Sequence, residues 1–164
     1  MTSATLTRPF RIEAIAPDAL DRIRAAGRDD FGNPAEVSID TDGGSPLRCC
    51  LRPAEPGARI ALIAYRPFTR PGPYAETGPV FIHPGACPGY STPGQYPPGY
   101  RSRPAMIFRP YRRDGQIAYP AIAMVEGGHA EEAIERMFAD PSIEFIHARN
   151  VYAGCFKFTI RRPA

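Results

Sequence analysis

Prolines and glycines crowd the middle of this chain, and they restrict its fold more than any other sequence feature. Residues 66–104 hold ten of the 20 prolines, six of the 15 glycines and four of the eight tyrosines. Each proline removes a backbone donor and fixes φ, so this stretch cannot form long regular elements. We therefore expect a long Pro/Gly/Tyr-rich loop interrupted by one strand at 78–83, with residues 84–100 covering a site.

The segments on either side of this loop show clear periodicity. Apolar residues at helical spacing predict helices at 17–26 and about 129–139, stopped by Gly27 and Pro141. Alternation and turn residues predict strands at 10–15, 36–40, 47–52, 59–66, 104–111, 116–126, 143–149 and 154–161. Hairpins joining 47–52 to 59–66, and 104–111 to 116–126, indicate an α+β fold with a largely antiparallel sheet and two helices packed on it. We expect one domain over 1–164, with its core at about 10–162.

Composition and cysteine usage indicate a cytoplasmic protein that does not enter membranes. The chain is 43% hydrophobic and 23% charged, as is usual for a globular domain, and it has no apolar run long enough to span a bilayer. Its beginning lacks the layout of a secretory signal. Cys49 and Cys50 are adjacent, which is awkward for a disulfide framework, so we interpret the four cysteines as reduced thiols.

The basic residues are unusual because 19 of the 20 are arginine and the other is Lys157. Arginine suits carboxylate and phosphate, although an arginine-rich composition also follows from a GC-rich genome. With a net charge of +3 and a pI of about 8.8, the chain lacks the field and the motifs of a nucleic-acid-binding protein. Nucleic acid is therefore disfavoured as a partner.

Four arginines on predicted strands suggest a pocket for an anionic small molecule. They are Arg48, Arg52, Arg109 and Arg149. A charge on a strand is costly unless it pairs or faces solvent, so convergence on one face would create a binding cluster. The alternative is a solvated face in which these arginines pair with acids.

A reactive thiolate is a second hypothesis. On a strand at 47–52, Cys49 would enter the core, and Cys50 would lie between Arg48 and Arg52 on the opposite face. Neighbouring cations lower the pKa of a thiol, although a buried cysteine is usually inert. An enzyme of this kind would use Cys50 or Cys155 as its nucleophile, with His83 or His147 as its base.

The same residue types also suit tetrahedral zinc, through His83 and Cys87 with His147 and Cys155. The sequence lacks a Cys-x-x-Cys spacing, and both histidines are equally typical of hydrogen-bonded strand residues. We accordingly assign neither a metal nor a cofactor from the sequence.

Four short runs together resemble a bacterial family. They are Arg-Cys-Cys-Leu-Arg at 48–52, Gly-Pro-Val-Phe-Ile-His at 78–83, His-Ala-Arg-Asn at 147–150 and Gly-Cys-Phe at 154–156. The chain resembles domain-of-unknown-function family 1203 from about Phe10 to Arg162. The family carries no established activity, so the resemblance implies a single-domain bacterial protein and adds no function.

Three classes of function stay open, and whether the protein is an enzyme stays undecided. The first is a small binding or accessory domain for an anionic small molecule, and the second is the thiolate enzyme. The third is a protein-interaction module, which includes a homodimer, because four loop tyrosines are typical of contact surfaces. The residues expected to form the site are Arg48, Cys50, His83, His147, Asn150 and Cys155.

Overall fold

The computed structural model describes residues 10–163, which form two α-helices and ten β-strands. The helices are α1 (Pro17–Ala26) and α2 (Ala130–Phe138). The strands are β1 (Arg11–Glu13), β2 (Glu36–Asp40), β3 (Pro46–Leu47), β4 (Arg52–Pro53), β5 (Ala58–Tyr65), β6 (Gly78–Ile82), β7 (Met106–Arg112), β8 (Ala123–Val125), β9 (Ile143–Asn150) and β10 (Phe156–Arg161). The α+β class follows directly from this content.

The strands form two five-stranded sheets. Sheet 1 has the order β1-β10-β9-β7-β8 and is antiparallel throughout. Sheet 2 has the order β2-β5-β6-β3-β4, in which β3 and β6 run parallel and the other neighbours antiparallel. The sequence predicted one sheet with a hairpin of 47–52 and 59–66, and this prediction is wrong. Strand β5 pairs with β2 and β6, so it never meets residues 47–52.

Each sheet is covered by one helix, and each pair forms its own hydrophobic cluster. In α1, Leu20 and Ile23 are buried on one face against sheet 2, and Gly27 ends the helix at φ 63°, a conformation that glycine adopts without strain. The face of α2 is apolar at i, i+3 and i+4 from Ala130 and packs on sheet 1. The sequence predicted both helices to within two residues at each end.

The hairpin that follows β7 has the expected turn but a shorter return strand. The Gly115 N–H donates to the Arg112 carbonyl across the predicted Asp-Gly turn. After that, residues Tyr119–Ala121 form a short 3-10 helix, because Pro120 has no N–H with which to continue the ladder. Pairing resumes only at β8, rather than across the predicted 116–126.

Residues 66–104 contain β6 and a 3-10 helix at Pro98–Tyr100. Tyr96 and Tyr100 from this stretch are buried and pack their rings against Phe158 of sheet 1. No helix among residues 10–163 has both the length and the apolar character needed to cross a bilayer.

Candidate functional site

Residues 48–51 form a tight turn, which corrects the strand predicted at 47–52. Strand β3 reverses into β4 and pairs with it, and the Leu51 N–H donates to the Leu47 carbonyl at 3.0 Å. Leu51 has φ 58° and is the one non-glycine residue with positive φ within 10–163. A left-handed conformation costs a leucine about 1–2 kcal/mol. Because the chain turns here, the side chains of Cys49 and Cys50 do not alternate across a sheet as the sequence suggested.

Arg48, the first residue of this turn, is a buried cation without a carboxylate partner among the described residues. It is 1% exposed, and its Nε donates to the Phe156 carbonyl at 2.7 Å. Its Nη1 donates to the Pro46 carbonyl at 2.5 Å, and its Nη2 donates to Cys155 Sγ at 3.2 Å. A guanidinium has five N–H donors, so two are left over. Burial lowers the pKa of Arg48, and the guanidinium stays charged nonetheless.

Arg48 lies at a cavity of about 600 Å³ between the two sheets, which we call the cation cleft. Its polar lining includes Arg48, Glu76, Arg149, Asn150, Cys155 and Lys157. Its apolar lining includes Leu62, Tyr65, Val80, Phe81 and Phe156. Three cations therefore share the cleft with one carboxylate. Residues 84–100, which the sequence assigned as a cover, are not among the residues that line it.

Lys157 is the cleft residue that sequence reasoning missed. It is 5% exposed, and its Nζ lies 5.9 Å from the centroid of the Tyr100 ring, without a hydrogen bond or an ion pair among residues 10–163. Burial, together with the positive charge of Arg48, lowers its pKa to about 8. The available signal was its identity as the sole lysine among 20 basic residues, although nothing in the sequence marked it as buried.

Arg149 and Asn150 also line the cleft, and both side chains already make hydrogen bonds within the protein. Arg149 is 4% exposed, and its Nη1 donates to the Gly154 carbonyl and pairs with Glu76 at 3.1 Å. The same Glu76 also pairs with Arg109. The side-chain Oδ1 of Asn150 accepts from the backbone N–H groups of Tyr152 and Ala153, so it shapes the turn between β9 and β10.

Cys50 and His83 lie in a different place, which we call the thiol–imidazole cluster. Its four members are Cys49, Cys50, His83 and Cys87, whose donor atoms all lie within 4.8 Å of one another. The Sγ–Nδ1 distance to His83 is 3.4 Å from Cys49 and 3.8 Å from Cys50. These side chains can act as a thiolate–imidazole pair or as soft metal ligands.

Electrostatics within the cluster separate the two adjacent thiols. A hydrogen bond from Cys49 stabilises the Cys50 thiolate and lowers the pKa of Cys50, and the Arg52 backbone N–H acts in the same direction. The pKa of Cys49 is raised, because its proton serves that hydrogen bond and because it is buried. One negative charge is therefore favoured on the pair.

His147 belongs to neither place. It is fully buried among the rings of Phe68, Tyr111, Phe145 and Phe156, with ring centroids at 4.8–5.1 Å. Neither ring nitrogen has a hydrogen-bond partner among residues 10–163. Burial, assisted by the charge of Arg149, holds its pKa well below the ordinary value, so the imidazole is neutral. No hydrogen bond within the described chain joins it to Cys155.

The six residues expected from the sequence thus occupy three places. Arg48, Asn150 and Cys155 line the cation cleft, Cys50 and His83 belong to the thiol–imidazole cluster, and His147 lies among aromatic rings. The zinc set weighed from the sequence is also divided, because His83 and Cys87 join Cys49 and Cys50 rather than His147 and Cys155. Loop closure and strand register decide these groupings.

Fold and sites together define a two-sheet α+β protein with a cationic cleft and a cluster of three thiols and one imidazole. Residues 44–162 match the family described as Protein of unknown function (DUF1203), so the chain belongs to that family, as the short sequence runs indicated. No curated protein and no solved structure matches the chain.

Proposed function

We propose that this protein binds a small organic anion in the cation cleft. One observation carries the proposal: Arg48 and Lys157 are both at least 95% buried beside the same cavity, and neither pairs with a carboxylate among residues 10–163. A buried charge costs several kcal/mol unless it is paired and hydrogen-bonded. A ligand anion would supply the charge that the described chain does not.

The position of the anionic group follows from which donors remain. The charge of Arg149 is already offset by Glu76, although its buried Nε has no hydrogen-bond partner among residues 10–163. Arg48 has two unused donors, and the Nζ of Lys157 makes no hydrogen bond within the described residues. We therefore expect the anionic group at the Arg48–Lys157 end of the cleft, near Cys155.

The rest of the cleft favours an apolar body on the ligand. Side chains of Leu62, Val80, Phe81 and Phe156 line it, and its volume of about 600 Å³ is typical of sites for small molecules. A carboxylate and a phosphate monoester share the chemistry that the cations recognise. The ligand class is thus an aryl or alkyl group that carries one such anion.

Calorimetric titration with phenylacetate, phenyl phosphate and neutral benzyl alcohol tests this proposal. We expect at least one of the two anions to bind, and the alcohol to bind much more weakly than that anion. Lys157→Met should lower the affinity for the anion by about 10- to 100-fold, since hydrogen bonds to charged groups contribute about 1.5–3 kcal/mol. Arg59→Gln, which removes an exposed cation on β5, is the matched control and should bind as the wild type does. Failure of both anions, equal affinity for the neutral alcohol, or unchanged affinity in Lys157→Met would contradict the proposal.

A thiolate enzyme is a second candidate, and the approach of Cys50 to His83 favours it. Their Sγ–Nδ1 distance of 3.8 Å meets the requirement that a base lie near its nucleophile. Against it, Cys50 is 1% exposed, so a substrate has little access to the sulfur. Alkylation at neutral pH, with the labelled cysteines mapped by mass spectrometry, tests this candidate. Fast labelling of Cys50 would support an enzyme, and slow labelling of every cysteine would contradict it.

An interaction module remains a third candidate, with a second copy of the chain as partner. Val37 and Ile39 are about half exposed on β2, which is an edge strand of sheet 2. Edge strands with exposed apolar side chains readily pair with another chain. A monomeric mass by light scattering, unchanged in Val37→Lys, would rule out this pairing.

We also place the protein in a bacterial cytoplasm. All four cysteines are free thiols in the structure, which supports a reducing compartment. Fractionation of the native host is the direct test, and recovery from an oxidising compartment would contradict this location.

A further inference from the structure

The thiol–imidazole cluster has the composition and the spacing of a tetrahedral metal site. With zinc–sulfur bonds of about 2.3 Å and zinc–nitrogen bonds of about 2.0 Å, neighbouring ligand atoms lie about 3.5–3.8 Å apart. The Sγ–Nδ1 distances of 3.4 Å and 3.8 Å to His83 match that spacing. All four donor atoms fall within 4.8 Å, so small side-chain rotations would bring them around one ion.

Two separate parts of the fold hold the donors in place. The turn at 48–51 presents two adjacent thiols, and its conformation is fixed by the left-handed Leu51 and by pairing of β3 with β4. The imidazole follows directly after β6, and Cys87 follows four residues later. Since β3 and β6 are neighbours in sheet 2, the sheet itself brings both parts together.

Groups around the cluster suit bound thiolates. The His83 backbone N–H donates to Cys49 Sγ at 3.3 Å. Arg24, in the last turn of α1, places Nη2 at 3.7 Å from Cys87 Sγ and donates from Nε to the His83 carbonyl at 3.1 Å. Three thiolates around a divalent ion leave one net negative charge, which the Arg24 guanidinium offsets. Such outer partners orient ligands and tune affinity in metal sites.

Burial decides what kind of site this is. Cys49 and Cys50 are each 1% exposed, and four protein donors complete a tetrahedral shell without a vacant position. A closed Cys₃His set is typical of structural zinc, whereas catalytic zinc keeps one position for water or substrate.

We propose that the thiol–imidazole cluster binds one zinc ion, which ties the turn at 48–51 to the end of β6. Three thiols lose their protons to solvent as the sulfur–zinc bonds form, and the neutral imidazole binds through Nδ1. The ion is structural, and its site is separate from the cation cleft.

Cobalt substitution of the purified full chain, under reducing conditions and after removal of metal by a chelator, tests the proposal. We expect one Co²⁺ per chain, with the visible bands of a tetrahedral ion and thiolate-to-cobalt charge transfer, and displacement by one equivalent of Zn²⁺. Cys87→Ser should lower the charge-transfer intensity by about a third, as one of three thiolates is lost.

Two histidine variants give a matched pair. His83→Gln should lower the affinity for Zn²⁺ by more than about 100-fold, because it removes a ligand rather than an outer partner. Competition with a chromophoric chelator measures this affinity. His129→Gln changes an exposed histidine outside the cluster and should bind Zn²⁺ as the wild type does. Absence of stoichiometric, tightly held metal in the reduced wild type would overturn the proposal. An equal loss of Zn²⁺ affinity in His83→Gln and His129→Gln would also overturn it. Labelling of Cys50 that is fast without a chelator would also overturn it, in favour of the thiolate enzyme.

Discussion

The cation cleft and the thiol–imidazole cluster begin on the same four-residue turn, yet they are opposite kinds of site. Arg48 contributes a buried charge to a cavity of about 600 Å³, where charges outnumber partners. The next two residues, Cys49 and Cys50, contribute donors to a cluster whose members lie against one another. An open cavity with unpaired charge suits an external anion, whereas a cluster of donors within reach of one another suits an ion.

This difference teaches that residue type alone does not define a site. Arg48 and Cys50 are two residues apart, and an alternating strand would have placed them on one face. The turn separates them, so the cation meets the end of sheet 1 through Phe156 while the thiol meets His83 after β6. The contrast predicts that substitutions in the cluster change metal binding, whereas substitutions in the cleft change anion binding.

Removal of metal should have the largest effect on stability. An ion that binds only the folded state stabilises it by RT ln(1 + [L]/Kd), about 4 kcal/mol when the ion is present at about 1,000 times its Kd. We expect a chelator to lower the free energy of unfolding by that order, measured by urea denaturation with a reductant. In His83→Gln, whose affinity for Zn²⁺ should be more than about 100-fold weaker, the chelator should have a much smaller effect on the free energy of unfolding. If the chelator leaves the free energy of unfolding of the wild type unchanged, the cluster is not a metal site and the contrast between the two regions fails.

Lys157→Met should stabilise the protein at neutral pH, although it lowers the affinity of the cleft for the anion. The pKa of Lys157 is lowered to about 8 by burial and by Arg48 and Arg103, while Cys155 acts in the opposite direction. Below pH 8 both folded and unfolded chains hold the proton, so the full penalty of burying the charge is present. A shift from 10.5 to about 8 corresponds to about 3 kcal/mol, which methionine would relieve.

The pH dependence checks the sign of this effect. Between pH 8 and about 10.5 the unfolded chain binds more protons, so wild-type stability rises with pH and the advantage of Lys157→Met disappears. Urea denaturation of both proteins at pH 7 and pH 10.5 measures it. An advantage that is constant with pH would show that Lys157 is not a buried cation.

His147 should make the protein acid-sensitive by a smaller amount. Its pKa is held well below 6.5 by burial and by Arg149, Arg161 and Arg109, so the unfolded chain alone takes up a proton as the pH falls below 6.5. Stability is then lost by up to about 1.4 kcal/mol per pH unit. His147→Phe should remove this part of the slope. Phe145→Leu weakens the same ring cluster but keeps the imidazole, so it should lower stability at every pH and leave the slope unchanged.

Asn150 gives the smallest expected change. Asn150→Ala removes the acceptor of two backbone N–H groups and should lower the free energy of unfolding by about 1–2 kcal/mol. Asn150→Asp keeps that acceptor and adds a negative charge to the cleft lining. It should therefore be more stable than Asn150→Ala and bind phenyl phosphate more weakly than the wild type. Since the Asn150 N–H donates to the Cys155 carbonyl, equal anion affinity in the wild type and Asn150→Asp would contradict placement of the anionic group near Cys155.

The sequence predicted those elements whose signals are local. Periodic apolar residues and a following glycine located α1, and alternation located β9 and β10 in the closing hairpin. The family also followed from short runs of residues. The turn at 48–51 was missed because Leu-Arg-Cys-Cys-Leu-Arg lacks the glycine, asparagine or proline that normally mark a reversal.

The sites were less accessible to sequence reasoning, because both are assembled from distant segments. Cys49 was assigned to the core, where the structure buries it, and it also joins His83, Cys50 and Cys87, since β3 neighbours β6. Lys157 was overlooked because burial of a single lysine depends on packing against Tyr100 rather than on its neighbours in sequence. Arg48 and Cys155 were both named from the sequence, and their contact at 3.2 Å depends on how the two sheets meet.

Native mass spectrometry of the freshly purified wild type and of Lys157→Met, each compared with its denatured mass, tests the central claim most directly. The account predicts that both native proteins carry the mass of one zinc ion, and that the wild type alone also retains a small organic anion. Both excesses should disappear on denaturation. A bare native mass for the wild type, or an organic ligand retained equally by Lys157→Met, would contradict the division of this turn between a metal site and an anion site.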